Sequence, residues 1–293
     1  VTLCPFDNGW VKVSSEGFPI GDIYCRGQFA FKPPFGIFFG AAAYFNVHGV
    51  EVKIKSESPV KSALGGSSTA LVALIKAFSK ATGTKRMSGK NILHLAYYLE
   101  DAISGGNCGL QDQAAAVYGG VNQWKWRYGD RAAPYQRIPL LDREGQKELS
   151  KRLLVAYSGE SHVSTTTNRK WIKDFLNGRT REGWVKVNQI VHQTARAISR
   201  KDWCQAALML QEEMVLRKKL TPEALIPITD KLIEQAERVG CGARFAGAGA
   251  GGSLWAIGMI KNIRRLKTLW KKTLRPVKEA EILACEIDPL GVR

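Results

Sequence analysis

Gly65 and Gly66, followed at once by Ser67, Ser68 and Thr69, are the residues of this chain best suited to holding a phosphate. Glycine lets the backbone approach a ligand and take up positive φ, while the hydroxyls could cap a helix or offer oxygen to a metal ion. Behind them Leu71, Leu74, Ile75 and Phe78 recur at helical spacing, which predicts a helix with one buried face and a rigidly held start. The first amides and the dipole of such a helix favour an anion. A glycine-serine loop alone is more often a plain helix cap. Two further segments change that balance. In the first, Glu100 to Gly120, Glu100 closes the apolar helical run Ile92, Leu95, Ala96 and Leu99, and a second acid, Asp112, follows a glycine-rich turn. In the second, Gly242 to Gly258, a glycine-alanine loop runs into Leu254, Trp255, Ala256 and Ile257.

The three segments, SALGGSSTALVALIKAF, EDAISGGNCGLQDQAAAVYGG and GARFAGAGAGGSLWAIG, occur in an order and at separations that resemble the GHMP small-molecule kinases, named for galactokinase, homoserine kinase, mevalonate kinase and phosphomevalonate kinase. Within that group the ALGGSS loop together with GLQDQAAAVYGGVN is most similar to sugar kinases of the D-glycero-D-manno-heptose 7-phosphate type, with galactokinase and fucokinase as neighbours. The resemblance extends over essentially the whole chain. It implies that backbone amides from Leu64 through Gly65, Gly66, Ser67 and Ser68 cradle the phosphates of ATP, and that Ser67 and Glu100 hold magnesium. A hard cation that keeps waters and phosphate oxygens needs only one or two protein ligands of this kind. Asp112 is implied to face the attacking substrate hydroxyl, as proton acceptor or as orienting group. The third loop, with Gly247 and Gly249, is implied to pack against the phosphate loop and fix its shape.

The residues themselves leave alternatives open. Asp112 precedes a helix-favouring run and could be an N-cap. Glu100 could be an ordinary solvated acid at a helix end, where it would oppose the dipole. Ala63 stands where the resemblance places a glycine and fits if its φ is negative; Ala250 interrupts the third loop's glycine run. The family's first strand-loop motif has no counterpart before Val1, and the chain has no initiating methionine, so a trimmed start is expected.

The elements that must position these groups are strands at Val1 to Leu3 and Trp10 to Val13, a helix near Phe35 to Phe45, and the alternating strand Val50 to Ser56. The phosphate-loop helix follows, then a helix ending at Glu100, one over Asp112 to Tyr118, and a strand from Val121 to Trp126. The charged segment from Tyr128 to Gln146, interrupted by Pro134 and Pro139, reads as the link between domains, so the expected domains are 1–145 and 146–293. The second half reads as strand Leu153 to Tyr157, helices Trp184 to Ser199, Trp203 to Arg217 and Pro227 to Val239, strand Leu254 to Ile257, helix Ile260 to Leu274 and strand Ile282 to Ile287. Interleaved strands and helices predict an α+β class. The resemblance implies a two-domain GHMP kinase fold, with an N-terminal mixed β-α domain carrying the phosphate loop and a C-terminal ferredoxin-like α/β sandwich.

At 293 residues and 45% hydrophobic content the chain is long enough for two domains. A net charge of +17 would attract ATP and phosphorylated sugars, and equally a nucleic acid or an anionic membrane. Six scattered cysteines without a C-x-x-C pair, and four scattered histidines, give no zinc pattern and suggest reduced, cytoplasmic thiols. Cys108 is read as a packing residue rather than a reactive thiol. The longest apolar run, FGIFFGAAAYF, falls short of the ~20 residues of a membrane span. Two weaker features are the hydroxyl-rich Glu160 to Trp171, with His162 and Arg169, which the resemblance implies could line the sugar site and which could simply enter a helix, and the basic helix Lys261 to Lys272, read by default as a packed amphipathic helix with a solvated face and in the minority reading as a nucleic-acid or membrane contact.

The expectation is therefore an ATP- and magnesium-dependent sugar kinase acting on a small-molecule sugar or sugar phosphate, with the anomeric hydroxyl of a heptose 7-phosphate as acceptor. Monomer and homo-oligomer are both open, and no specific nucleic-acid or membrane partner is expected. Galactokinase or fucokinase activity is the nearest alternative, and a non-catalytic sugar-binding protein of the same fold is another.

Overall fold

The computed structural model describes residues 1–83, 87–106, 108–127, 129–130, 133–161 and 164–293, with side chains left aside at 164–166. It divides into two compact units: residues 1–60, 65–119 and 290–293 form the first, and 61–64 with 120–289 the second. The division falls at Gly119 and Gly120, ahead of the expected 145/146. The cause is the hairpin β5 (Asn122–Trp126) and β6 (Tyr135–Pro139) with α5 (Arg143–Ser150). Val121, Leu141 and Leu149 of this stretch pack into the second unit's core with Trp203 and Ile257, so the segment predicted as a linker is folded structure. Tyr128, the start of that predicted linker, lies outside the described residues.

The first unit has a four-stranded sheet of order β1-β4-β2-β3, formed by Thr2–Pro5, Val50–Ile54, Trp10–Ser15 and Asp22–Cys25. β1 and β3 run antiparallel to their neighbours, while β2 and β4 are parallel and place Val11 opposite Val50 and Val13 opposite Val52. Alternation puts Val11, Val13, Val52 and Ile54 on the buried face. Four helices complete the unit: α1 (Gly36–Tyr44), α2 (Gly66–Ala81), α3 (Gly89–Ser104) and α4 (Gln111–Tyr118). Leu71, Leu74, Ile75 and Phe78 of α2 are fully buried, as their spacing predicts. α3 is started by Ser88, whose hydroxyl accepts from the Asn91 amide, and ended by left-handed Gly105 at φ 70. It runs one turn past Glu100, so that acid lies inside the last helical turns rather than at the end.

The second unit is built on an antiparallel sheet of order β10-β7-β9-β8, from Glu281–Leu283, Leu153–Tyr157, Ser253–Ile257 and Gly242–Phe245. Numbered along the chain this is the 4-1-3-2 order of a ferredoxin-like sandwich, as expected. Its helices are α6 (Ser164–Leu176), α7 (Arg181–Ser199), α8 (Trp203–Leu220), α9 (Pro227–Arg238) and α10 (Ile260–Leu274). Leu232, Ile233, Phe245, Leu254, Leu266 and Trp270 form the centre of one core. β10 is shorter than the predicted Ile282 to Ile287. α6 occupies the hydroxyl-rich segment; His162 lies outside the described residues.

Candidate active site

α2 begins without a side-chain cap. Its N-cap is Gly65, held left-handed at φ 68, ψ 26, and no acid stands in its first turn. Ser67 and Ser68, predicted as capping groups, turn elsewhere. The Ser67 hydroxyl donates to Glu100 Oε1 at 2.9 Å and the Ser68 hydroxyl to Oε2 at 2.7 Å. Gln113 Nε2 donates to the same Oε2 at 2.7 Å. Three donors from α2 and α4 thus converge on one carboxylate of α3, and the first-turn amides of α2 are left free of side-chain caps, facing any anion that approaches.

Asp112 is in the first turn of α4, but Leu110 is the N-cap and no side chain caps the helix. The capping alternative is therefore not realised. A Cβ placed on Gly65 would lie 3.0 Å from Asp112 Cβ and Cγ and 3.4 Å from Oδ1, so Asp112 is packed against the turn that opens α2. That side chain keeps solvent access, yet protein surrounds it closely enough to push its carboxyl up to about 6: lost hydration is the larger cause and the Glu100 charge the smaller. Cys108 is pushed up to about 12, chiefly by burial and then by Glu100, and takes a hydrogen bond from Gln113 Nε2 at 3.3 Å. It is a packing residue, as expected.

Gln113 was not singled out from the sequence. It is fully buried, its amide nitrogen serves Glu100 and Cys108, and its Oε1 has no partner among the described residues. Reversing the amide would set that oxygen against the Glu100 carboxylate, so the donor orientation is the one chemistry favours. The signal available was the glutamine on either side of Asp112 in QDQ, one of them on the helix face occupied by Ala114 and Val117, which are also buried.

Magnesium fits this arrangement. Among the described residues no group of three or more His, Cys, Asp or Glu converges. What converges instead is one carboxylate and the Ser67 hydroxyl, a donor set suited to a hard cation that draws its other ligands from water and phosphate.

The second unit contains the remaining predicted positions. Leu64 ends the four-residue segment that belongs to it. The third loop packs on that segment: the Ser253 amide donates to Ser62 O at 2.8 Å, and a Cβ on Gly252 would lie 2.8 Å from Ala63 Cβ. A Cβ on Gly247 would meet Ala63 at 3.8 Å, whereas one on Gly249 would run into Ala224 O at 2.3 Å and Phe245. Gly249 is thus required by close packing inside the unit. Ala63 corrects the expectation for it, with φ +60 rather than negative, and Ala250 is left-handed too at φ +59. Both alanines adopt the backbone a glycine would, so the loop shapes survive the substitution at a cost of about 1–2 kcal/mol each.

Residues 36–120 match the family model described as GHMP kinases N terminal domain. The chain accordingly has the GHMP kinase fold. Among solved structures, a D-glycero-D-manno-heptose 1-phosphate kinase from Bacteriodes thetaiotaomicron is similar at 17% identity and TM-score 0.72, over 99% of this chain and 84% of that one. Lactococcus lactis galactokinase, complexed with galactose, is similar at 17% identity and TM-score 0.74, over 99% and 84%. Methanococcus jannaschii mevalonate kinase is similar at 16% identity and TM-score 0.73, over 98% and 87%. No curated protein shows a significant sequence match.

Proposed function

We propose that the protein is an ATP-dependent kinase that transfers the γ-phosphoryl group to a hydroxyl of a small sugar, with the anomeric hydroxyl of a heptose 7-phosphate as the acceptor. The observation that carries the reading is the meeting of Ser67, Ser68 and Gln113 on Glu100 beside an Asp112 packed against Gly65. The amides of Gly65 to Ser68 would hold phosphate oxygens. Ser67 and Glu100 would hold magnesium, which neutralises charge on the phosphates when bound. Asp112 takes the proton of the attacking hydroxyl. As the new oxygen-phosphorus bond forms, the bond from the γ-phosphorus to the bridging oxygen breaks and ADP departs. A carboxyl near pH 6 suits this role: it is mostly ionised at neutral pH yet basic enough to accept a proton. Most of the remaining rate enhancement is positioning.

The test is ADP release with ATP and magnesium over a panel of free and phosphorylated sugars. Turnover on a heptose 7-phosphate, lost by ~10²–10⁴-fold in Asp112→Asn, supports the assignment. Turnover confined to galactose or fucose would replace the substrate. Sugar binding with equal background ATP turnover in both proteins would leave a non-catalytic binder.

A further inference from the structure

Helix α10 displays a row of cations that the kinase reading leaves unused. At 3.6 residues per turn, Lys261, Arg264, Arg265, Lys271, Lys272 and Arg275 fall within about 120° of arc and extend over about 21 Å. All six are exposed, and the opposite face, Ile263, Leu266, Trp270 and Leu274, is buried in the core. The sequence has no acid between Ile260 and Lys278. None of the six joins an ion pair among the described residues, and on α9, packed alongside, Asp230 pairs with Lys218 and Glu234 with Arg238. Lys271 and Lys272, in the last turn, suit the helix dipole, but the N-terminal part of the row does not. Lys261 lies in a first turn that has no acid and no side-chain cap, where a cation opposes the dipole.

We infer that this face is a docking surface for the phosphate backbone of a nucleic-acid duplex, bound without regard to base sequence. Three observations favour that occupant. Membrane-surface helices sink aromatic or aliphatic side chains among the headgroups, and every large apolar residue of α10 except partly covered Ile260 and Leu269 is buried in the protein. Protein interfaces centre on aromatic or aliphatic anchors, and this face has none. Single strands are held by base stacking on aromatic rings, also absent here. What the face offers is a straight, rigid line of charge rich in arginine, which suits the regularly spaced phosphates of a duplex.

The experiment uses the full chain and a fluorescein-labelled 24-base-pair DNA duplex, with anisotropy measured from 50 to 200 mM KCl. Six phosphate contacts give a slope of about −5 in log K against log salt, hence an affinity loss of about 10³ over that range. The variant K261Q/R264Q/R265Q/K272Q should flatten the slope by about 3 to 4, and the pairs K261Q/R265Q and R264Q/K272Q by about 2 each. Far-ultraviolet circular dichroism confirms that each variant is folded, and the pairs carry the test if the quadruple variant is not. Binding driven by the whole +17 charge would respond only in proportion to the few cations removed, about a quarter for the quadruple variant and an eighth for each pair, so slopes within about a quarter of the parent value overturn the inference. No binding at 50 mM overturns it too, as does tighter binding to phosphatidylserine vesicles than to the duplex.

Discussion

Replacing Gly65 by alanine separates the role of the turn in stability from its role in positioning. Gly65 is left-handed, a conformation that costs an L-residue about 1–2 kcal/mol. Alanine returns about 0.4–1 kcal/mol by stiffening the unfolded chain, so the backbone effect is a net loss of about 1 kcal/mol. That lowers Tm by about 2–4 °C. The new Cβ would also stand 3.0 Å from Asp112 Cβ and Cγ. Carbon atoms prefer about 3.5–4.0 Å, so the Asp112 side chain must retreat by about 0.5–1 Å. Misplacement by about 1 Å costs up to ~10²-fold in rate, and kcat/KM in Gly65→Ala should fall by about 10–100-fold while the protein stays folded. The control is Ala63→Gly two residues earlier. Ala63 already bears the left-handed strain, so glycine there should raise Tm by about 2 °C and leave kinetics unchanged. Differential scanning fluorimetry and ADP release read both. A Gly65→Ala protein with a lower Tm and undiminished kcat/KM would refute the positioning argument, and a destabilised Ala63→Gly protein would refute the strain argument.

In the proposed role, the Asp112 carboxyl would set the acid side of the pH profile. The proton acceptor must be ionised, so kcat/KM should rise as pH increases through about 6, and an activity flat from pH 5 to 8 would exclude this role. The same shift acts on stability with a definite sign. The folded state holds the Asp112 proton more tightly than the unfolded chain, so this residue costs stability as pH rises from about 4 to 6, and Asp112→Asn should melt higher than the parent at pH 8 but not at pH 4, checked by thermal melts. Gln113→Leu removes a donor from Glu100 together with an unpartnered acceptor. It should raise the magnesium concentration for half-maximal rate by about 10–100-fold with little change in Tm, measured by magnesium titration. Burial and the nearby acids keep Cys108 protonated, so iodoacetamide at pH 8 should label exposed Cys204 well before it, as read by peptide mass spectrometry.

Helical periodicity made α2, α7, α8, α9 and α10 readable because each places apolar residues at three- and four-residue spacing. The same rule failed where the pattern is masked by charge or interrupted. β6 alternates Tyr135 and Arg137 with Gln136, and stands on a two-stranded hairpin with little to bury, so nothing in its sequence separates it from a linker. β8, Gly242–Phe245, begins with a glycine that is there because Ala207 and Leu210 leave no room for a side chain, a reason that exists only in the folded packing. In the candidate site, the motifs singled out Ser67, Glu100 and Asp112, and the structure bonds the first two and packs the third against Gly65. The motifs could not announce that buried Ser68 joins exposed Ser67 on Glu100, or that Gln113 completes the set, because both depend on how three helices meet.

Glu100 shows why those helices must meet as they do. An acid in the last turns of α3 lies near the negative end of its own dipole, which taken alone is unfavourable. The start of α2 has the opposite fault: its positive end has neither a side-chain cap nor an acid of its own. Setting Glu100 against Ser67 and Ser68 offsets both, since the carboxylate of one helix supplies the negative charge that the start of the other lacks. Two hydroxyls and the Gln113 amide then share two oxygens, so the carboxylate is satisfied before any cation arrives. A cation that takes a lone pair from Ser67 needs only a rotation of that hydroxyl. The geometry of the acid, the turn and the helix start is set by folding, so a cation held there would enter a frame already formed.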